Sequence, residues 1–314
     1  MTSMEIYAED WAPTREPPAM FDMDGTDAVR PVESETWLDV PPAAGVAVPL
    51  AFVDGTRRVE IGLWQTDAAG KSMRGLAGVY AVGATVCRPG IPAEFAGIRR
   101  ARVCIWGGGL TGDLGPVAGY HWVSRSLGTT DPDAPLLALQ ELMRDAEARL
   151  ASDLAGMGWQ VVLDGPLNHL RSLHHMVAGF AKTHHRQLYP DDMHLRVPGL
   201  PLGHRSALWA LGEDRFTCYL RVGEPTAVGS PWSGIVRLEL PAFAGFAAAR
   251  AAADQLAGTL PRFAGRHHID PRAPANLQPI RALEQHLGRL LGPSRLANQA
   301  GRAAVAHLQA VVPS

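Results

Sequence analysis

Cysteine is scarce in this chain. Cys87, Cys104 and Cys218 are widely spaced over 314 residues. That spacing matches no metal-binding pattern, and an odd number excludes a fully paired disulfide framework. The three are expected to serve as small buried hydrophobes. Neither sign of charge is in excess: 29 Lys and Arg stand against 31 Asp and Glu, a net charge of −2. With a pI near 6.6, the chain lacks the basicity of a dedicated nucleic-acid binder, whose domain pI usually exceeds about 9. A local basic groove around an acidic site is compatible with this balance. No run of about 18 apolar residues occurs, so no membrane span is expected. The opening stretch, MTSMEIYAEDW, has neither the basic nor the apolar region of a secretory signal, so a cytoplasmic location is expected. Gly107-Gly108-Gly109 is not followed by Gly-Lys-Ser/Thr, so this chain is not expected to bind ATP. The twelve histidines include the adjacent pairs 174–175, 184–185 and 267–268. Neighbours diverge on a helix or strand, and no H-x-x-x-H spacing occurs, so most are read as loop or surface residues.

The hydrophobic fraction of 46% is enough for a globular core. Residues 1–45 are polar and proline-bearing and read as an N-terminal extension, an arm or surface wrap. Residues 46–314 read as one α/β domain. Apolar runs suggest strands at 46–53, 59–64, 79–87 and 102–106, a meander. A helix follows Asp131-Pro132-Asp133 and ends near Gly156 and Gly158. A strand at 160–163, a short helix at 168–176 and a further strand or turn at 177–182 come next. Residues 184–205 read as a His- and Pro-rich loop. Strands at 216–222 and 234–240 form a pair, and the tail is helical at 246–256, 280–291 and 296–311. Strands first, then α/β alternation, then helices imply a mixed sheet flanked by helices, with a helical C-terminal part.

Two segments share one design. The run 48–53 leads into Asp54-Gly55, and 161–163 leads into Asp164-Gly165. Each reads as an acid where a buried strand meets a glycine turn, a rigid and open place for a ligand, although Asp-Gly is also ordinary turn chemistry. Two carboxylates on neighbouring strand ends repel, and a divalent cation that prefers oxygen ligands relieves the repulsion. Such a site can activate water for phosphoryl displacement. The helix before Asp164 offers a third acid. At about 100° per residue, Glu141 points almost opposite the stripe of Leu139 and Leu150, and Asp145 lies about 140° from its centre. Glu147 lies about 60° from it, on the flank of the core. Asp153 is as close on the other flank but sits in the fraying last turn. Glu147 is therefore the best-placed candidate.

These motifs, in order, resemble those of NurA nucleases. Phe52-Val53-Asp54-Gly55-Thr56-Arg57 is similar to the family's first motif. Val161-Val162-Leu163-Asp164-Gly165-Pro166-Leu167 is similar to its second block. Val177-Ala178-Gly179-Phe180-Ala181-Lys182 resembles the following strand with its lysine. The segment from Asp270-Pro271-Arg272 to Gln278-Pro279-Ile280 resembles the C-terminal block. The resemblance spans roughly residues 46–290. It implies an RNase H-like fold, a homodimer, Mn2+- or Mg2+-dependent cleavage of DNA in double-strand-break end processing, and partnership with a hexameric HerA-type ATPase. Carried over by position, Asp54 and Asp164 match the metal aspartates, and Glu147 the helix glutamate. A family tyrosine, with a histidine eight residues on, falls here on Gln278 and His286, so the tyrosine is missing. Lys182 and His286 become auxiliary catalytic candidates. Arg57 and Arg58 are candidates for gripping the DNA backbone, and strand alternation lets only one of them face the site.

Two other readings compete. A NurA-like subunit could serve mainly as a scaffold or DNA-binding partner of an ATPase; the missing tyrosine favours that, and the three acids oppose it. Phe21-Asp22-Met23-Asp24-Gly25-Thr26 matches the D-x-D-G-T signature of haloacid-dehalogenase-type phosphatases, with Asp22 as nucleophile and Asp24 as general acid/base. That signature needs an apolar strand before it, and Pro17-Pro18 stands there instead.

Overall fold

The computed structural model describes residues 5–8, 29–43, 48–66, 70–167, 173–182, 187–225, 229–270 and 272–311. The segment with Asp22 and Asp24, the His184-His185 pair and most of the short helix expected at 168–176 lie outside the described residues. The described part of that helix, 173–176, is not helical.

Among the described residues, thirteen strands join in one sheet. In chain order the elements are β1 (Glu5–Ala8), β2 (Val29–Pro31), β3 (Asp39–Val40), β4 (Leu50–Thr66), β5 (Ser72–Cys87), β6 (Glu94–Trp106), β7 (Val123–Ser126), α1 (Ala134–Gly156), β8 (Gln160–Asp164) and β9 (Val177–Ala181). Then come α2 (Asp191–His194), β10 (Arg205–Ser206), β11 (Trp209–Leu211), β12 (Arg215–Arg221), β13 (Ile235–Pro241), α3 (Phe246–Thr259), α4 (Gln278–Leu290) and α5 (Ser294–Val311). Strands β4, β5 and β6 form an antiparallel meander. The chain then crosses through α1, and β8 returns parallel to β4, with β9 parallel to β8. The resulting order, β6-β5-β4-β8-β9, is the RNase H-like arrangement, and α1 is the crossover a parallel pair requires. Beyond β9 the sheet continues antiparallel through β13 and β12. The N-terminal arm adds strands of its own: β1 pairs with β4, β2 with β11 and β3 with β10.

The period-2 pattern of the strands decides what covers each face. Ala51, Val53, Val161 and Leu163 pack with Ala148, Leu150, Ala151 and Leu154 of α1. Leu50, Phe52, Val162 and Phe180 point the other way, to Leu256 of α3 and Ile280 of α4. Val79 and Ala81 meet Leu283 and Leu287 of α4. Each fully buried Val, Leu, Ile or Phe among these contributes roughly 1.5–3 kcal/mol. Among the described residues no helix is long and apolar enough to cross a membrane.

One expectation is corrected. The strands read as ending at Asp54 and restarting at Val59 are one strand, β4, paired residue by residue with β5 from Leu50 to Val59. Gly55 pairs with Val82 in mid-ladder and is not among the residues with positive φ. The register shifts between Val59 and Ile61, a bulge that reverses the alternation. Ile61 and Leu63 therefore join Ala300 and Ala304 of α5 in a core of their own.

Candidate metal centre

Alternation places the acids. On β4 and β8 the even-numbered residues face α3 and α4, so Asp54 and Asp164 share that face. Lys182, one residue past β9, follows Ala178 and Phe180 on the same parity. From α4, Glu284 comes down onto them. It lies four residues after buried Ile280 and three before buried Leu287, spacings that stack on one helix face. Carboxylate oxygens of Asp54, Asp164 and Glu284 all lie within 4.8 Å of one another. The wheel of α4 carries the signal for Glu284, which the spacing of Gln278 and His286 does not.

Glu147 is fully buried and arrives from the opposite face. A Cβ on Gly55 would lie 2.4 Å from its Oε1 and 2.9 Å from Met143 Cγ. The glycine after Asp54 thus serves close approach of helix to strand, not a turn. By contrast, Gly165 after Asp164 has φ +104°, where glycine is the residue that fits. Arg144 donates from Nη1 to Glu147 Oε2 and to the Asp164 carbonyl, both at 3.2 Å. The other acids of α1 turn elsewhere. Asp153 is exposed and pairs with Arg99, Asp145 pairs with Arg149 one turn on, and Glu141 is exposed.

Crowding of negative charge marks the site. Burial pushes the Asp54 carboxyl well above the usual carboxylate range, the charges of Asp164 and Glu147 push the same way, and Lys182 opposes them. Burial pushes Glu147 up to about 7, against the pull of Arg144 and with the help of Asp164. Asp54 Oδ1 accepts the N–H of Gly55 at 2.8 Å. Lys182 Nζ donates to Asp164 Oδ2 at 2.7 Å and to Asn276 Oδ1 at 3.0 Å. Asp164 Oδ1 and Glu147 Oε1 are buried and have no hydrogen-bond partner among the described residues. Buried oxygens left unsatisfied are costly, and an all-carboxylate donor set suits a hard divalent cation such as Mg2+ or Mn2+. These residues therefore fit a metal ion.

Lysine is rare: of the 29 basic residues counted as Lys and Arg, only Lys71 and Lys182 are lysines. One of the two stands at the acidic cluster. Its ammonium, a compact point charge, pairs with Asp164.

Helix α4 is pinned at both ends. At its start, Thr85 Oγ1 donates to the Pro279 carbonyl at 3.0 Å, and Gln278 Nε2 donates to the Ala264 carbonyl at 3.0 Å. At its end, Arg58, Arg100 and Arg102 donate to the carbonyls of residues 290–292, where the helix dipole favours cations. Arg58 and Arg102 also face buried Glu60. Arg57 turns to the other face and donates to Gln140 Oε1 at 3.0 Å. The His286 ring stacks on Phe95, with centroids 4.3 Å apart. Two residues along a helix turn by about 200°, so His286 does not share the direction of Glu284.

No protein-family model matches the sequence, and no curated protein matches it. Among solved structures, the crystal structure of the NurA nuclease from Sulfolobus solfataricus is similar over 88% of this chain and 88% of that one, with 11% sequence identity and a TM-score of 0.47.

Proposed function

We propose that this protein is a metal-dependent nuclease that hydrolyses phosphodiester bonds in DNA. Mn2+ or Mg2+ would be held by Asp54 and Asp164, with Glu284 and Glu147 as the further acids. The observation that supports this reading best is the convergence of carboxylates from β4, β8 and α4 within 4.8 Å, with a buried oxygen of Asp164 lacking a partner among the described residues. The choice of DNA rests on the ordered motifs that resemble NurA nucleases, and so do the homodimer and the HerA-type ATPase partner.

When bound, a divalent cation supplies an activated water and stabilises charge on a phosphoryl oxygen. The residues of the chain do the rest. Lys182 commits two N–H bonds to Asp164 and Asn276, and an ammonium has three donors. The third is available to a phosphate oxygen as negative charge develops. Arg144 keeps Glu147 and the end of β8 in fixed relation. To reach the DNA backbone, Arg57 would exchange its bond to Gln140, and Arg58 its bonds to the end of α4. His286 would act from its stack on Phe95, as an auxiliary group outside the acidic trio.

The test is degradation of end-labelled linear DNA with and without Mn2+, wild type beside Asp54→Ala. Wild type should degrade DNA only with metal, and the variant should lose activity by orders of magnitude. Equal activity in the two proteins sinks the assignment. Absence of activity in both, with retained binding to an ATPase ring, would favour the scaffold reading.

A further inference from the structure

The segment between α3 and α4 lends no carboxylate to the trio, yet one of its acids is linked to two members of it from behind. Asp270 is 2% exposed. Its Oδ2 accepts from Asn276 Nδ2 at 2.7 Å, and its Oδ1 accepts the N–H of Arg272 at 2.8 Å. Asn276 is fully buried and spends its other amide atom on Lys182, which in turn holds Asp164. This is the first arm. The Arg272 guanidinium lies 3.5 Å from Asp270 Oδ1 and forks onto both carboxylate oxygens of Glu284, one at 2.9 Å. This is the second.

Both arms have a physical task. Glu284 is aimed at two other carboxylates, and repulsion favours rotamers that swing it away. A bidentate guanidinium fixes it in place. The side chain of Arg272 is itself 55% exposed, and a long exposed side chain keeps one geometry only when something anchors it. Asp270 is that anchor. On the other arm, the orientation of the Asn276 amide is set by its bond to Asp270: with Nδ2 spent there, Oδ1 is presented to Lys182.

We infer that Asp270 is the positioning residue of the acidic site, setting Lys182 through Asn276 and Glu284 through Arg272 and thereby setting the affinity for Mn2+ or Mg2+. The inference rests on reading the trio as a divalent-cation site. Loss of partners that orient metal ligands typically costs about 10–100-fold in metal affinity.

The experiment is calorimetric titration of the metal-stripped full chain with MnCl2, with a thermal melt of each protein. The set is wild type, Asp54→Asn, Asp270→Asn, Arg272→Gln and Arg281→Gln. Arg281 pairs with the same Asp270 carboxylate, at 3.6 Å, but is bonded to neither Lys182 nor Glu284 among the described residues. Asp270→Asn and Arg272→Gln should weaken Mn2+ binding by about 10–100-fold, and Arg281→Gln should bind as wild type does. Arg272→Gln alters an exposed side chain and should melt like wild type, so it decides the matter even if Asp270→Asn fails to fold. Wild-type affinity in Arg272→Gln overturns the inference while leaving the trio intact. Equal weakening in Arg281→Gln also overturns it, because a general loss of charge would then explain the effect. A wild type that binds no Mn2+, or binds it as well as Asp54→Asn does, overturns the reading of the trio and the inference with it.

Discussion

Gly55 and Glu147 meet across the plane of the sheet: a Cβ on the first would lie 2.4 Å from Oε1 of the second. Glu147 is fully buried and held by Arg144, so it has little room to yield. Gly55→Ala should lower stability by about 1–3 kcal/mol, the usual cost of overpacking, and should also reduce metal-dependent cleavage. Adding Glu147→Ala should recover part of the lost stability, since contacting residues are non-additive. Urea melts of the single and double variants check this; strict additivity would show that the two do not touch.

Metal should stabilise the fold through the same carboxylates. A ligand that binds only the native state adds about 2.7 kcal/mol at one hundred times its Kd. Thermal melts with and without Mn2+ should show a rise for wild type and none for Asp164→Asn. A variant that keeps the full shift would place the ion elsewhere.

Without metal, stability should depend on pH in a defined direction. The Glu147 carboxyl is raised in the fold from its ordinary 4.5 to about 7. A group raised in this way contributes stability that is fully present below pH 4.5 and is lost as pH climbs towards about 7. The slope from this group is at most about 1.4 kcal/mol per pH unit. Asp54 is shifted in the same direction. Urea melts in EDTA at pH 5 and pH 7.5 should favour pH 5, and Glu147→Gln should flatten the difference. A wild type more stable at pH 7.5 would contradict the burial of these acids.

The end of α4 offers a further test. Arg102 Nε donates to both oxygens of buried Glu60 at 3.1 Å, and its Nη2 donates to the Leu291 carbonyl. Removing one partner of a buried ion pair costs about 3–5 kcal/mol. Arg102→Ala should lose that much in urea melts and should loosen the helix that carries Glu284. A loss below about 1 kcal/mol would mean that the pair behaves like a surface one.

Much of this was legible in the sequence where a local rule and the tertiary environment agree. The β-rich first half, the crossover helix and the helical tail follow from periodicity alone. The two aspartates sit on the face that alternation assigns them, and Glu147 is buried as the wheel of α1 suggests. Elsewhere the environment overrode local chemistry. Asp54-Gly55 has the composition of a turn, but β4 runs straight through it, because the glycine answers to a glutamate on another element. The bulge at Glu60 and the strands β1, β2 and β3 are set by pairing with distant partners, which periodicity does not encode. Glu284 was within reach of the wheel of α4, whereas Gln278 and His286, eight residues apart, are engaged with Ala264 and Phe95.

The scarcity of lysine makes primary-amine chemistry a nearly site-specific reporter on this protein. Lys71 is exposed, whereas the Lys182 ammonium is part-buried and hydrogen-bonded to Asp164 and Asn276. An amine-directed acylating reagent must reach the nitrogen, so it should mark exposed Lys71 readily and part-buried Lys182, held by two hydrogen bonds, slowly. Peptide mapping after brief labelling would then follow the state of the acidic centre at one position, with the other side chain as its internal standard.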